Sequence, residues 1–192
     1  RPPTAARPPF ALVVMGRIGS GKSTLARALA ARLGAEVVSS DVLRKAMAGV
    51  PLRERGGAAA RRRLYSAAMT RRVYDALLDA AEARWRAGRW VVLDATFARR
   101  ARRRALARRF ARQGLAWFLV EAHAGDATVR RRLRARDHRA DEISDARLED
   151  FAALTRLYEP PDEVPRASRV RVSTTVPLAK AVARALQGLA RW

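Results

Sequence analysis

Cysteine is absent from the chain, which excludes disulfides and thiolate metal sites. No run of eighteen or more apolar residues occurs, so no stretch reads as a membrane-crossing helix, and the first residues lack the apolar core of a signal peptide. A soluble, cytoplasmic protein without a membrane partner is therefore expected. Aromatic residues are few, at 6%, and are not interleaved with the basic ones as in the stacking platforms of single-stranded nucleic-acid sites. Acidic residues are also sparse, 18 against 40 basic ones, for a formal net charge of +22. Lysine is nearly missing from that excess: only Lys22, Lys45 and Lys180 occur, and the other 37 basic residues are arginine. The two histidines, His123 and His138, do not have metal-ligand spacing.

Such a charge attracts anions in general, whether nucleotides, nucleic acid or acidic partners. Arginines dispersed over solvated helix faces, as a GC-rich genome produces, also account for it, and the scarcity of aromatics favours that account. Nucleic acid stays open as a partner of the basic surface. At 192 residues the chain is long enough for one domain with its own core.

What is present begins with Gly16-Arg17-Ile18-Gly19-Ser20-Gly21-Lys22-Ser23, which fits the phosphate-binding pattern G-x-x-x-x-G-K-S/T. The apolar run Phe10–Met15 before it reads as a strand. Leu25, Ala28, Leu29 and Leu33 after it recur at helical spacing from Thr24 to Leu33. A triphosphate needs many donors at once, and glycines let successive backbone N–H groups turn inward around an anion at a helix N-terminus. Residues 16–24, through Thr24, are the expected nucleotide-binding loop. Lys22 is expected on the β- and γ-phosphates and the Ser23 hydroxyl on Mg²⁺.

The rest of the chain alternates. Arg1–Pro9 is too proline-rich for regular structure and reads as a linker; with no initial methionine, it suits a processed chain or the C-terminal part of a longer one. Strands are predicted at Glu36–Ser39, Trp90–Leu93, Leu115–Val120 and Val170–Val172. Helices are predicted from Asp41, as a cap, to Ala48, then at about Ala59–Ala87, Arg99–Arg112, Asp126–Arg136, Asp145–Leu157 and from Pro177 onward. The long helix has Val73, Ala76, Leu77 and Ala80 as its apolar stripe, the basic one Ala101, Ala105, Leu106 and Phe110, and the last one Leu178, Val182, Ala185, Leu186 and Leu189. Alternating strands and helices imply an α/β fold, a parallel sheet covered on both faces.

Ligands of such sheets gather at the carboxyl ends of the strands, where this chain puts Asp41 and Asp94. Asp41 is suited to take a proton from an attacking hydroxyl, with Arg44 one turn on to hold an anionic group. An apolar strand ending in Asp94 suits a carboxylate that orients Mg²⁺. Thr96 is a further candidate for substrate contact. Arg132 and Arg136, four apart in a dense arginine cluster, share a helix face and would close over phosphates if that segment forms a lid.

Taken in order, G-R-I-G-S-G-K-S-T-L-A from Gly16, S-S-D-V-L-R-K from Ser39, L-Y-S from Leu64, V-V-L-D-A-T-F from Val91, R-L-R-A-R from Arg132, S-D-A from Ser144 and Y-E-P from Tyr158 resemble bacterial P-loop predicted kinases of the AAA-domain type. These are similar to polynucleotide 5′-hydroxyl kinases and, more distantly, to gluconate and nucleoside monophosphate kinases. The resemblance covers about residues 10–190. It implies a P-loop NTPase three-layer sandwich, a five-stranded sheet in the order 2-3-1-4-5, and a mobile lid at about 125–147. It also implies that Asp41 is the substrate-hydroxyl base, Arg44 the substrate anchor, and Arg132 and Arg136 the lid arginines. Some relatives carry this module after a phosphotransferase-like domain. Arg17 departs from the usual small or neutral residue and is expected to project to solvent.

The reading is an ATP- and Mg²⁺-dependent kinase over residues 10–192 that phosphorylates a hydroxyl of a small molecule. A polynucleotide 5′-hydroxyl is the alternative acceptor. A non-catalytic, ATP-switched nucleic-acid-binding module is the rival, against which stands the Asp41-x-x-Arg44 pair.

Overall fold

A computed structural model describes residues 8–54, 57–137, 143 and 147–192. Residues 1–7 of the expected linker, and residues 138–142 and 144–146 of the expected lid with the S-D-A motif, lie outside the described residues. Five strands, β1 (Phe10–Met15), β2 (Glu36–Ser39), β3 (Val91–Asp94), β4 (Ala116–His123) and β5 (Arg169–Ser173), form one parallel sheet in the order β2-β3-β1-β4-β5. Every residue of β1 is buried, as its continuous apolar run demands of a strand covered on both faces.

Strand alternation divides the core. Leu12 and Val14 pack with Leu25 and Leu29 of α1 (Lys22–Leu33) and with Val182 and Ala185 of α8 (Leu178–Ala190) on one face. Val13 and Met15 pack on the other face with Tyr74 and Leu77 of α4 (Ala67–Arg86) and Leu106 and Phe110 of α5 (Arg100–Gln113). Removing Phe110, 0% exposed, to Ala costs about 3–5 kcal/mol. Register aligns Ser39 with Asp94 and Asp94 with Val14, so the strand ends form one row.

The single long helix expected before β3 is two: α3 (Ala58–Leu64) and α4, broken at Tyr65-Ser66, because the Ser66 hydroxyl caps a new helix by accepting the Met69 N–H at 3.3 Å. α2 (Ser40–Ala48) takes Asp41 into its first turn, with Ser39 at the cap position. The inner side of α5 also differs. Ala101 and Ala105 are exposed and Arg103 is buried, because its guanidinium spends every N–H: on Glu163 (2.5 and 3.0 Å) and on the carbonyls of Phe97 (2.7 Å), Glu159 (2.9 Å) and Pro160 (3.0 Å). After α6 (Asp126–Asp137), a 3-10 turn at Leu148–Asp150 leads into the short α7 (Phe151–Arg156), where one helix from Asp145 is expected. Pro177 caps α8 and is not in its first turn.

Among the described residues no helix is long and apolar enough to cross a membrane.

Candidate active site

The loop after β1 closes tightly. Ser20 N donates to the Arg17 carbonyl at 3.2 Å, and Gly16 N to the Thr96 carbonyl at 3.4 Å, tying the loop to the end of β3. A Cβ on Gly16 would stand 2.5 Å from the carbonyl oxygen of Ala122, so only glycine fits. Gly21, at φ 85, turns the chain into α1 through the left-handed region that side chains disfavour. Lys22 is then the first helical residue and is 8% exposed. The Ser20 hydroxyl is buried within the loop without a hydrogen-bond partner, a donor left for an anion.

Asp94 ends β3 beside this loop and is 5% exposed. Burial pushes its carboxyl above the ordinary value, while Lys22 and a hydrogen bond from the Ser23 hydroxyl pull it down, and Asp41 pushes it up again. These influences place Lys22, Ser23, Asp41 and Asp94 in one electrostatic cluster. Asp94 Oδ1 is buried with no hydrogen-bond partner. A hard cation taking oxygen ligands suits that atom next to the Ser23 hydroxyl, so the residues present fit Mg²⁺. Among the described residues no group of three or more His, Asp or Glu side chains converges as an all-protein metal cage.

A cleft of about 650 Å³ opens over these residues. Its wall joins Gly21, Ser23 and Thr24 to Asp41 and Asp94, and Arg132 and Arg136 of α6 face them. Seven of the expected site residues, from the loop and α1, α2, β3 and α6, thus meet. Burial, then Arg136 and Arg131, lower the proton affinity of Arg132. Val176 and Leu178, both exposed, add an apolar side to the cleft. Ile18 does not line it; it packs with Val129 and Leu133 of α6 and with Phe151, seating the arginine-bearing helix on the loop.

Besides Ile18, Arg44, Thr96 and Arg17 also stand outside the cleft wall. Arg44 is 5% exposed and turned toward α3 and α4: its Nη1 donates to the Leu64 carbonyl at 2.6 Å and to Thr70 at 3.2 Å, and its guanidinium lies 4.4 Å from the Tyr65 ring centre. Thr96 pairs with the Tyr74 hydroxyl at 3.2 Å outside the cleft wall. Arg17 does not project to solvent. It donates to Asp126 at 2.8 Å and to the Ala124 carbonyl at 3.1 Å, because the start of α6 supplies both acceptors.

Two residues escaped the sequence reading. Thr174, just past β5, donates from Oγ1 to the Ser20 carbonyl at 2.5 Å and accepts from Arg132, joining the loop to α6. Its place after a strand end was the available sign. Tyr74, half hidden in the apolar stripe of α4, accepts the buried Phe97 N–H at 3.1 Å and stabilises a non-glycine residue at φ 43.

A phosphate-binding loop between a central strand and a helix, in a 2-3-1-4-5 parallel sheet with a carboxylate at the neighbouring strand end, defines a P-loop NTPase of α/β type. Residues 12–161 match the family described as AAA domain, and the chain belongs to that family. No curated protein matches it. Among solved structures it is similar to a gluconokinase from Sinorhizobium meliloti 1021, with 26% identity over 96% of this chain and 93% of the other and a TM-score of 0.64. It is also similar to a sugar kinase from Janibacter sp. HTCC2649 (22%, 95% and 95%, TM-score 0.64) and to the Mycobacterium tuberculosis APS kinase solved with AMPPNP and APS (22%, 95% and 98%, TM-score 0.68).

Proposed function

We propose that this protein is an ATP- and Mg²⁺-dependent kinase that moves the γ-phosphoryl group to a hydroxyl of a small molecule. The observation that carries this reading is the buried, half-unpartnered Asp94 carboxylate beside Lys22, Ser23 and Asp41 under the Arg132–Arg136 face. Similarity to a gluconokinase supports a small polar acceptor.

The loop amides, Lys22 and the Ser20 hydroxyl hold the phosphates, and Thr24 extends the loop's donor set. Ser23 and Asp94 hold Mg²⁺, which supplies charge neutralisation on the phosphate oxygens when bound. Asp41 accepts the proton of the attacking hydroxyl, and Arg132 and Arg136 stabilise charge on the transferring group. Val176 and Leu178 offer an apolar side for a purine ring. Arg44 and Thr96, the expected acceptor anchors, stand outside the cleft wall, so Asp41 is the acceptor-facing residue of this reading.

The test is phosphate transfer from γ-labelled ATP to a panel of sugars, sugar acids and other hydroxyl compounds, with a 5′-hydroxyl oligonucleotide and its 5′-phosphorylated twin alongside. Labelled small product, lost in Lys22→Ala, supports the reading. Label on the 5′-hydroxyl oligonucleotide alone establishes the polynucleotide reading in its place. Nucleotide binding without transfer to any acceptor returns the chain to a nucleotide-switched module.

A further inference from the structure

A second cavity, of about 590 Å³, lies away from the P-loop cleft. Strand alternation turns Glu121 and His123 of β4, and Arg169 and Arg171 of β5, away from Val120, Ala122, Val170 and Val172, which belong to the core under α1 and α8. Thr155, Tyr158 and the Pro160-Pro161 turn close its side, and Arg17 of the phosphate loop forms part of its wall.

Its charge is unbalanced. Four arginines, Arg17, Arg166, Arg169 and Arg171, face two carboxylates, Glu121 and Asp162. Both carboxylates are occupied: Glu121 accepts from the Tyr158 hydroxyl at 2.8 Å and stands 3.7 Å from Arg171, and Asp162 stands 3.4 Å from Arg169. Burial and the neighbouring Glu121 push the Tyr158 hydroxyl far up, so it stays a donor to that carboxylate.

Its neutral groups also seek acceptors. His123 Nδ1 lies 2.9 Å from Arg171 Nη2, and a guanidinium can only donate. The imidazole proton is therefore on Nε2, and His123 is a neutral donor; burial and Arg171 both hold its pKa down. The Thr155 hydroxyl oxygen is buried without a partner in the same wall. Proline rings and the Tyr158 ring supply apolar surface beside these donors.

We propose that this cavity is a second ligand site, which takes a small organic polyanion bearing carboxylate or phosphate groups, and that its occupant opposes nucleotide binding through Arg17. That residue is part of the phosphate loop, outside the cleft wall, and lines this cavity. Its carbonyl accepts from Ser20 N inside the phosphate loop, and its guanidinium holds Asp126 and the Ala124 carbonyl at the start of α6. An anion in the cavity competes with Asp126 for that guanidinium and loosens the tie between loop and helix. It also sets negative charge beside a loop that must hold a triphosphate. Both effects have the same sign. A second connection runs through the His123 carbonyl, which accepts from Thr174 N at 2.8 Å, while Thr174 donates to Ser20. Linkage requires the nucleotide to weaken the polyanion by the same factor.

The experiment uses the chain saturated with a non-hydrolysable ATP analogue at fixed free Mg²⁺, so that the P-loop is filled. Tricarballylate and, separately, pyrophosphate are titrated by calorimetry, with the imidazole resonances followed by NMR; only two histidines need assignment. One polyanion per chain is expected, with the His123 resonances shifting. Preference for tricarballylate assigns a carboxylate ligand, and preference for pyrophosphate a phosphate one. Saturating polyanion is expected to raise the Kd of the analogue about fivefold or more. In R166A/R169A polyanion affinity falls tenfold or more, the analogue binds as in wild type without polyanion, and the coupling disappears, which separates it from direct competition at the P-loop. No binding at millimolar polyanion, binding that leaves His123 unmoved, or an unchanged Kd for the analogue overturns the proposal. These three outcomes are read on the wild-type chain and stand even if the double variant does not fold.

Discussion

Arg132 donates from Nη2 to the Thr174 carbonyl over 2.6 Å and from Nη1 to the Thr174 hydroxyl over 3.0 Å, and that hydroxyl donates to Ser20 over 2.5 Å. One side chain of α6, the turn before α8 and the phosphate loop are thereby a single hydrogen-bonded unit. Arg132→Ala removes the fork that joins them and the charge facing the phosphates, and kcat/KM for ATP is expected to fall roughly 10²-fold. Arg132→Lys recovers only part, because an ammonium lacks the planar pair of donors. Steady-state kinetics on both variants checks this, and wild-type values in Arg132→Ala would remove Arg132 from the site.

Asp41 reaches the cleft from the first turn of α2 and lines it with Asp94. Asp41→Asn keeps the shape and removes the base. ATP-analogue affinity is expected within about twofold of wild type, while kcat falls by about 10²-fold or more. Lost nucleotide affinity with intact kcat would move Asp41 to the metal.

Asp94 carries a testable stability penalty. Burial holds its folded-state pKa above 3.8, so as pH rises past the unfolded value the folded chain retains a proton that the unfolded chain has released, and stability falls until the folded pKa is passed. Asp94→Asn abolishes that loss. Without Mg²⁺ and nucleotide its Tm at neutral pH is expected above that of wild type, while the rise in Tm on adding Mg²⁺ with ATP analogue shrinks. A lower Tm in the unliganded variant would contradict the placement.

Arg103 and Glu163 behave oppositely. Burial alone would raise the Glu163 pKa, yet hydrogen bonding and charge from Arg103 hold it below 4.5. The stabilisation is present above about pH 4.5 and is lost as pH falls through the depressed folded value. Arg103→Met takes the donor from three carbonyls and leaves the Glu163 carboxylate only the looser Arg100, at 3.6 Å, and is expected to cost about 3–5 kcal/mol at pH 7. Urea titrations at pH 7 and pH 3.5 should show the gap from wild type narrowing in acid.

Much of the fold is legible in the sequence. β1 and β2 have the residues that the sequence predicts for them. Boundaries drifted where a local cap competed with periodicity: Ser66 divides a continuous helical pattern, and an apolar count alone cannot see a hydroxyl that satisfies a new N-terminus. The inner face of α5 departs from its periodicity for a different reason. Alanine at helical spacing looks like core, but Arg103 takes that position once the 159–163 segment brings it acceptors 56 to 60 residues away in sequence.

The sequence by itself determined the phosphate loop, the strands that flank it, and the acidic residues at the ends of β2 and β3. Those features depend on contiguous residues, glycine backbone freedom and short-range apolar repeats. Tertiary structure alone decided where the long arginines point. Arg17 bonds Asp126, 109 residues on, Arg132 bonds Thr174, 42 residues on, and Arg44 turns back to Leu64, away from the cleft. A guanidinium on a flexible stem goes wherever the folded chain assembles acceptors, and no local pattern encodes which distant carbonyl or carboxylate will arrive.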